Sequence, residues 1–128
     1  MPTACCLLLL GCGRPPGESH ITGYTPKQLL GEFADLYRVV QDNFLNHQAP
    51  SRLQELEKSK SGFPFGYKAA LNGEIVVMWG APLGGGNGSA VLAYERDAPA
   101  LGGWVLLQNG SVTQLSAAEF RAAPKAGK

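Results

Sequence analysis

Apolar residues between positions 25 and 44 recur at intervals of three and four, and charged residues fall largely between them. This spacing is typical of an amphipathic helix with a wide apolar face. Thr25, Pro26 and Gln28 have the form of a helix start, with an N-cap threonine, a proline in the first turn and a glutamine that reaches back. The pattern predicts a long helix of about 20 residues. Its apolar positions are Leu29, Leu30, Phe33, Leu36, Tyr37, Val40 and Phe44.

Two further capping-box patterns predict shorter helices. The first, in residues 51–54, predicts a helix that runs to about Lys58 and is ended by the stretch from Ser61 to Pro64. The second, Ser116 with Glu119, predicts a terminal turn of helix through about Ala122.

From residue 67 the chain alternates short apolar runs with turn signals, which is typical of strands. Asn72-Gly73 and Asn109-Gly110 each stand between two such runs, and both dipeptides favour hairpins because Asn and Gly tolerate a positive φ. The strands are predicted at 67–71, 74–79, 89–95, 104–108 and 111–115. Tight hairpins imply an antiparallel sheet of about five strands. The predicted fold class is α+β, because the long helix needs that sheet to bury its apolar face.

The middle strands are apolar on both faces, whereas one helix covers only one face. Either the second helix and the terminal turn cover the other face, or a partner protein does; self-coverage is the favoured reading. If a partner covers it, an interaction patch is expected on that face. The candidate patch residues are Val76, Met78, Val105 and Leu107.

Length and charge narrow the function classes. The chain has 128 residues, which suits one small domain. Its formal net charge is +1, so no electrostatic footprint indicates a nucleic-acid partner. No apolar stretch reaches the roughly 18–20 residues of a spanning helix.

The three cysteines, Cys5, Cys6 and Cys12, all precede the first predicted element. A disulfide framework would distribute cysteines through the folded part, and a zinc or iron–sulfur site needs more ligands than the chain offers. A catalytic thiol needs a cleft, which residues ahead of the fold do not form. Processing of the N-terminus remains as the explanation, with a coincidental cysteine as the alternative.

Leu9-Leu10-Gly11-Cys12 resembles the lipobox of bacterial lipoproteins. The resemblance implies cleavage after Gly11 and acylation of Cys12, and hence a membrane partner held through lipid. It divides the chain into a signal peptide at 1–11, a tether at 12–24, a globular domain at 25–122 and a flexible tail at 123–128. The expected location is the bacterial cell envelope, facing the periplasm or the exterior.

Residues 91–99, residues 102–112 and residues 116–120 resemble segments of pilin-like and pseudopilin-like proteins of planctomycete-type bacteria. The resemblance implies a helix-then-sheet globular domain. Filament assembly is not implied, because the helix that follows Gly23 is amphipathic and does not form a continuous apolar stem.

The glycine-rich stretch Gly84 to Ser89 lacks the lysine of a phosphate-binding loop, and a strand follows it where a nucleotide fold has a helix. A flexible inter-strand loop is favoured. Glu95 and Asp97 are too few for a calcium site. No cofactor, metal or catalytic residue is therefore predicted.

The sequence favours a non-enzymatic, lipid-anchored envelope protein that presents a small pilin-like domain for protein–protein contact. One alternative is a ligand-binding or enzymatic lipoprotein with a pocket near residues 80–88. Another is a cytoplasmic domain in which Cys12 stays unmodified.

Overall fold

The computed structural model describes residues 23–85 and 88–127. The signal peptide at 1–11, its cleavage residue Gly11, the lipidation residue Cys12 and the tether up to residue 22 lie outside the described residues. Their assignments remain predictions.

Helix α1 spans Pro26–Asn43, as the periodicity predicts. The side chain of Thr25 accepts a hydrogen bond from the Gln28 amide (3.2 Å), and the Gln28 side chain accepts one from the Thr25 amide (2.8 Å). This reciprocal capping box fixes where the helix begins. Its apolar side lies in the main core of the domain.

The second predicted helix is a 3-10 helix, Leu53–Gly62. The capping box predicted at residues 51–54 is wrong, because the N-cap is Arg52 and its side chain makes no cap hydrogen bond. The Glu55 carboxylate instead accepts a hydrogen bond from the Ser51 amide at 2.7 Å. Helix α2, Pro64–Leu71, follows directly. Both elements pack against α1.

The predicted strand at 67–71 is wrong, because these residues belong to α2. Asn72 is the C-cap of that helix, and Gly73 follows it with a φ of 79°. The Glu74 amide bonds to the Ala69 carbonyl (2.9 Å) and the Gly73 amide to the Ala70 carbonyl (3.2 Å), which is a Schellman motif. The dipeptide therefore ends a helix and does not join two strands.

The sheet consequently has four strands where about five were predicted. They are β1 (Ile75–Val77), β2 (Val91–Glu95), β3 (Gly103–Leu107) and β4 (Val112–Leu115), all antiparallel and in the order β1-β2-β3-β4. The class is α+β, with helices packed on an antiparallel sheet. Helix α3 (Ala98–Leu101) joins β2 to β3, and helix α4 (Ala117–Ala122) follows β4.

The second predicted hairpin is confirmed, with β3 and β4 paired across the Asn109-Gly110 turn. The Leu107 amide bonds to the Ser111 carbonyl at 2.8 Å, so residues 108–110 form the loop. Gly110 has a φ of 95°, which is typical of the three-residue hairpin connection.

A bulge in β2 lets both faces of the sheet be buried. The pairing with β3 shifts between Val91 and Ala93, so Leu92 is an extra residue in the strand. Leu92 and Ala93 both lie in the core that contains α1, whereas Val91 lies in a second cluster with Val105 and Phe120. Helices thus cover the sheet on both sides.

Helix α4 starts with the predicted capping box, because the Ser116 side chain accepts a hydrogen bond from the Glu119 amide at 3.0 Å. Residues 124–126 belong to the flexible tail predicted at 123–128, but in the structure they are hydrogen-bonded to Val91 of β2. The Val91 amide bonds to the Pro124 carbonyl (2.9 Å), and the Ala126 amide bonds to the Val91 carbonyl (2.8 Å). Apolar burial of Ala126 accompanies this pairing. Residue 128 lies outside the described residues.

Two glycines test the packing of α1. A Cβ on Gly66 would lie 2.7 Å from the Phe33 amide nitrogen, whereas a Cβ on Gly31 would meet nothing within 4 Å. We expect Gly66→Ala to lower the free energy of unfolding by about 1–2 kcal/mol, because α1 and α2 must separate. The control Gly31→Ala should raise it by up to about 1 kcal/mol through helix propensity. Urea unfolding measures both, and equal effects of the two changes would contradict the close helix contact.

Candidate interaction surface at the loop end

The four residues of the predicted patch do not form one open surface. Val105 is fully buried and lies with Leu107 in the cluster around Phe120 of α4. Met78 packs instead on the core that contains α1, on the other side of the sheet. Val76 is half-buried. The patch prediction is corrected here because α4 folds back over the sheet face that contains Val105.

Helix α1 gives the domain two distinct ends. Near its start, the Lys27 ammonium lies 5.4 Å from the centre of the Trp104 ring, at the beginning of β3. Further along, a guanidinium nitrogen of Arg38 lies beside Gly110, at the turn after β3. Helix α1 and strand β3 therefore run in the same direction. We call the end at the start of α1 the proximal end and the opposite end the loop end.

The loop between β1 and β2 is held to the C-terminal half of α1. The Gln41 amide group donates to the Leu83 carbonyl (2.9 Å) and accepts from the Leu83 amide (2.8 Å). One turn earlier, the Tyr37 hydroxyl donates to the Ala81 carbonyl at 2.7 Å. These contacts fix one side of the loop to the helix.

The turn between β3 and β4 also holds this loop. The Gln108 side chain donates to the Pro82 carbonyl (2.9 Å), and the Gln108 carbonyl accepts from the Gly84 amide (2.6 Å). The Asn109 amide donates to the Gly88 carbonyl at 3.1 Å. Both sides of the glycine-rich tip are thus attached to the β3–β4 turn. Gly86 and Asn87 lie outside the described residues.

Gln41 and Gln108 are the buried polar residues of the part of the chain that the structure describes. A buried amide is costly unless its hydrogen bonds are satisfied, and here the partners are backbone groups of the loop. The side chains that reach the loop base are therefore a phenol and two amides used for positioning. Over residues 23–85 and 88–127, no group of three or more His, Cys, Asp or Glu residues could hold a metal ion.

Exposed residues of different chemistry surround this loop. Phe44, within one turn of Gln41, is 60% exposed. His47 lies in the turn after α1 with a φ of 66°, and its Nδ1 lies 3.2 Å from an Asp42 carboxylate oxygen. Together with the Asn109–Gly110 turn and Arg38, they make the loop end a mixed surface of aromatic, polar and charged groups. Such a surface is suited to contact with another protein.

Comparison of the chain with protein-family models, curated proteins and solved structures finds no match in any of the three. Within the described ranges, none of the helices has the length and apolarity to cross a membrane. The functional argument therefore rests on the residues themselves.

Sequence reasoning missed both anchoring glutamines, although a signal was present. Gln41 falls in the apolar stripe of α1, one turn after Tyr37 and beside Val40. Gln108 continues the alternation of β3 two residues after the buried Leu106. A polar residue at an apolar position indicates a buried hydrogen-bond partner, but the sequence does not say that the partner is the loop.

Replacement of the Gln41 amide tests the attachment of the loop. We expect Gln41→Met to lower the free energy of unfolding by about 2 kcal/mol, because the Leu83 amide and carbonyl lose their partners in a buried site. Amide hydrogen exchange at Leu83 should accelerate beyond the change in global stability. The control Gln54→Met alters an exposed glutamine in the 3-10 helix and should leave both quantities unchanged. Unchanged exchange at Leu83 in Gln41→Met would contradict the anchoring role.

The buried phenol predicts a loss of stability in alkali. Burial, followed by the Glu55 carboxylate, raises the pKa of Tyr37 far above its ordinary value of 10.0. The unfolded chain then loses this proton first, so the stability contribution is intact below about pH 10 and declines as the pH rises above it. Burial, followed by the Glu57 carboxylate, raises the pKa of Tyr67 in the same direction.

We expect the free energy of unfolding to fall as the pH rises above about 10, less steeply in Tyr37→Phe than in the unaltered chain. Urea unfolding across this range measures both slopes. Identical slopes would show that Tyr37 ionises as readily in the folded protein as in the unfolded chain.

Proposed function

We propose that this protein is a lipid-anchored, non-enzymatic component of the bacterial cell envelope that presents its loop end to a protein partner. The anchor is Cys12, acylated after cleavage behind Gly11. The support for it is the resemblance of Leu9-Leu10-Gly11-Cys12 to a lipobox, together with a cysteine-free domain downstream.

The direction of α1 is the observation that carries the proposal. The chain enters the described domain at Gly23, directly before the helix, and the helix then rises by about 27 Å over its 18 residues. The loop end, attached through Gln41 and Gln108, lies at the far side of that rise. A chain held upstream of Gly23 would thus direct its loops away from the membrane.

The pilin-like character is part of the same proposal. A long helix along an antiparallel sheet agrees with the outline that the resemblance implies. Helix α1 buries its apolar face inside its own domain through residues such as Leu30, Phe33 and Leu36. We therefore propose a monomeric display domain in place of a filament subunit.

We propose a non-enzymatic role because of the way in which the loop between β1 and β2 is built. Its base is supported by Tyr37, Gln41 and Gln108, whose polar atoms bond to the protein backbone. Ala81 and Leu83 of the loop are themselves buried in the core. This arrangement favours a rigid contact loop over a ligand pocket at the same place.

Membrane fractionation of the native host tests the anchor. We expect the unaltered chain in the membrane fraction and Cys12→Ser in the soluble or unprocessed fraction, because serine cannot form the thioether. The matched control is Cys6→Ser, which alters a cysteine within the predicted signal peptide and should stay in the membrane fraction. Equal distribution of all three chains would contradict the anchor.

Site-specific photo-crosslinking tests the display of the loop end. A benzoylphenylalanine placed at Phe44 keeps an aromatic ring at an exposed position, and we expect a discrete protein adduct in intact host envelopes. The matched position is Leu101, which is 77% exposed at the proximal end. A protein adduct at Leu101 without one at Phe44 would overturn the assignment of the contact surface.

A further inference from the structure

Three large apolar side chains of the described residues are strongly exposed: Phe44 at 60%, Leu71 at 59% and Leu101 at 77%. Phe44 lies at the loop end. The two leucines lie elsewhere, on separate helices, and the packing of the domain gives neither of them a burial site. Their common position in the fold is therefore informative.

The topology places both leucines at the proximal end. Leu71 is the last residue of α2, and the chain reaches β1 after the helix cap at Asn72 and Gly73. The start of β1 meets the end of β2, where the Glu74 carbonyl accepts a hydrogen bond from the Arg96 amide at 3.0 Å.

Leu101 reaches the same end along a different path. It is the last residue of α3, which connects the end of β2 to the start of β3 at Gly103. Trp104 follows at once and packs beneath Lys27 of α1. The leucines thus lie at the end of the sheet at which the chain enters the domain.

The chain ahead of the domain limits what this end can face. Residues 12–22 are 11 residues and span at most about 40 Å even when fully extended. With Cys12 in a lipid, the proximal end is the part of the domain nearest to the bilayer. A lipid surface is then the apolar phase within reach of both leucines.

The charges at this end are of both signs. Lys27 and Arg96 are accompanied by Asp97, Glu74 and Glu95. Lys68 lies one turn ahead of the α2 C-terminus, and Glu119 lies in the first turn of α4. Such a mixture gives no strong attraction to anionic headgroups, so an apolar contact is the mode that these side chains favour.

We infer that the proximal end of the domain rests on the bilayer that holds Cys12, with Leu71 and Leu101 inserted into the interface between headgroups and acyl chains. This inference rests on the proposed anchor and adds an orientation to it. The domain is docked on the membrane by its own surface, and its loop end is held outward.

The mature chain suits a direct test, because the predicted cleavage removes Cys5 and Cys6 and acylation consumes the Cys12 thiol. Leu71→Cys, Leu101→Cys and the control Phe44→Cys are each purified as acylated protein and labelled with an environment-sensitive fluorophore. Each is reconstituted into phosphatidylcholine vesicles with and without phosphatidylglycerol. Nitroxide-bearing lipids then serve as quenchers.

We expect the label at residues 71 and 101 to shift its emission to the blue and to lose intensity to the lipid quencher. The label at residue 44 should keep the emission of a site that is exposed to water, and the lipid quencher should not reduce it. The shifts should not depend on phosphatidylglycerol. Urea unfolding of the labelled variants checks that the fold is kept, which the exposure of all three positions favours.

The outcomes separate the two proposals. Acylated protein with water-like emission at residues 71 and 101 overturns the docking and leaves the anchor standing. Shifts that require phosphatidylglycerol overturn the apolar mode of contact. A chain whose intact mass shows no acyl group overturns the anchor, and the docking with it.

Discussion

Burial of one face of α1 is the interaction on which the rest of this structure depends. Leu30, Phe33, Leu36 and Tyr37 are fully buried, and they form the centre of the main core. The same helix also makes polar contacts with two other parts of the domain, α2 and the loop between β1 and β2. Glu32 accepts hydrogen bonds from the Phe65 and Gly66 amides at 2.8 and 2.7 Å, which caps the start of α2, whereas Gln41 holds the loop. Loss of this one interface would remove the packing of α2, of the sheet and of the loop between β1 and β2 at the same time.

The direction of this helix also links the fold to the proposed function. Its start lies beside Trp104, where the described chain enters the domain at Gly23, and its end lies beside the glycine-rich loop and the β3–β4 turn. A helix of 18 residues therefore separates the end at which the chain enters the domain from the loop end. The second core, around Phe120 and Val105, covers the back of the sheet. Within the domain, the Lys125 ammonium bonds to the Phe120 and Ala123 carbonyls and secures that cover.

Local signals predicted most of the elements, although the capping box expected at residues 51–54 does not form, and prediction failed more widely where a distant partner decides. The capping boxes at Thr25 and Ser116 each lie within four residues, and both are confirmed. Asn72-Gly73 is ambiguous, since a positive φ at glycine serves a hairpin and a helix end equally well. The decision for a helix comes from Pro64 at its start and from Glu32, more than thirty residues away in the chain. The patch, expected only if a partner covered the second sheet face, is not formed because α4 folds back over Val105, and no local pattern in the sequence shows that contact.

The central claim, that Cys12 anchors this domain to a membrane, is tested most directly by the intact mass of the protein extracted from membranes of its own host. The account predicts a chain that begins at residue 12 and carries the added mass of acyl groups. A full-length chain that begins at Met1 and carries no acyl group would contradict it.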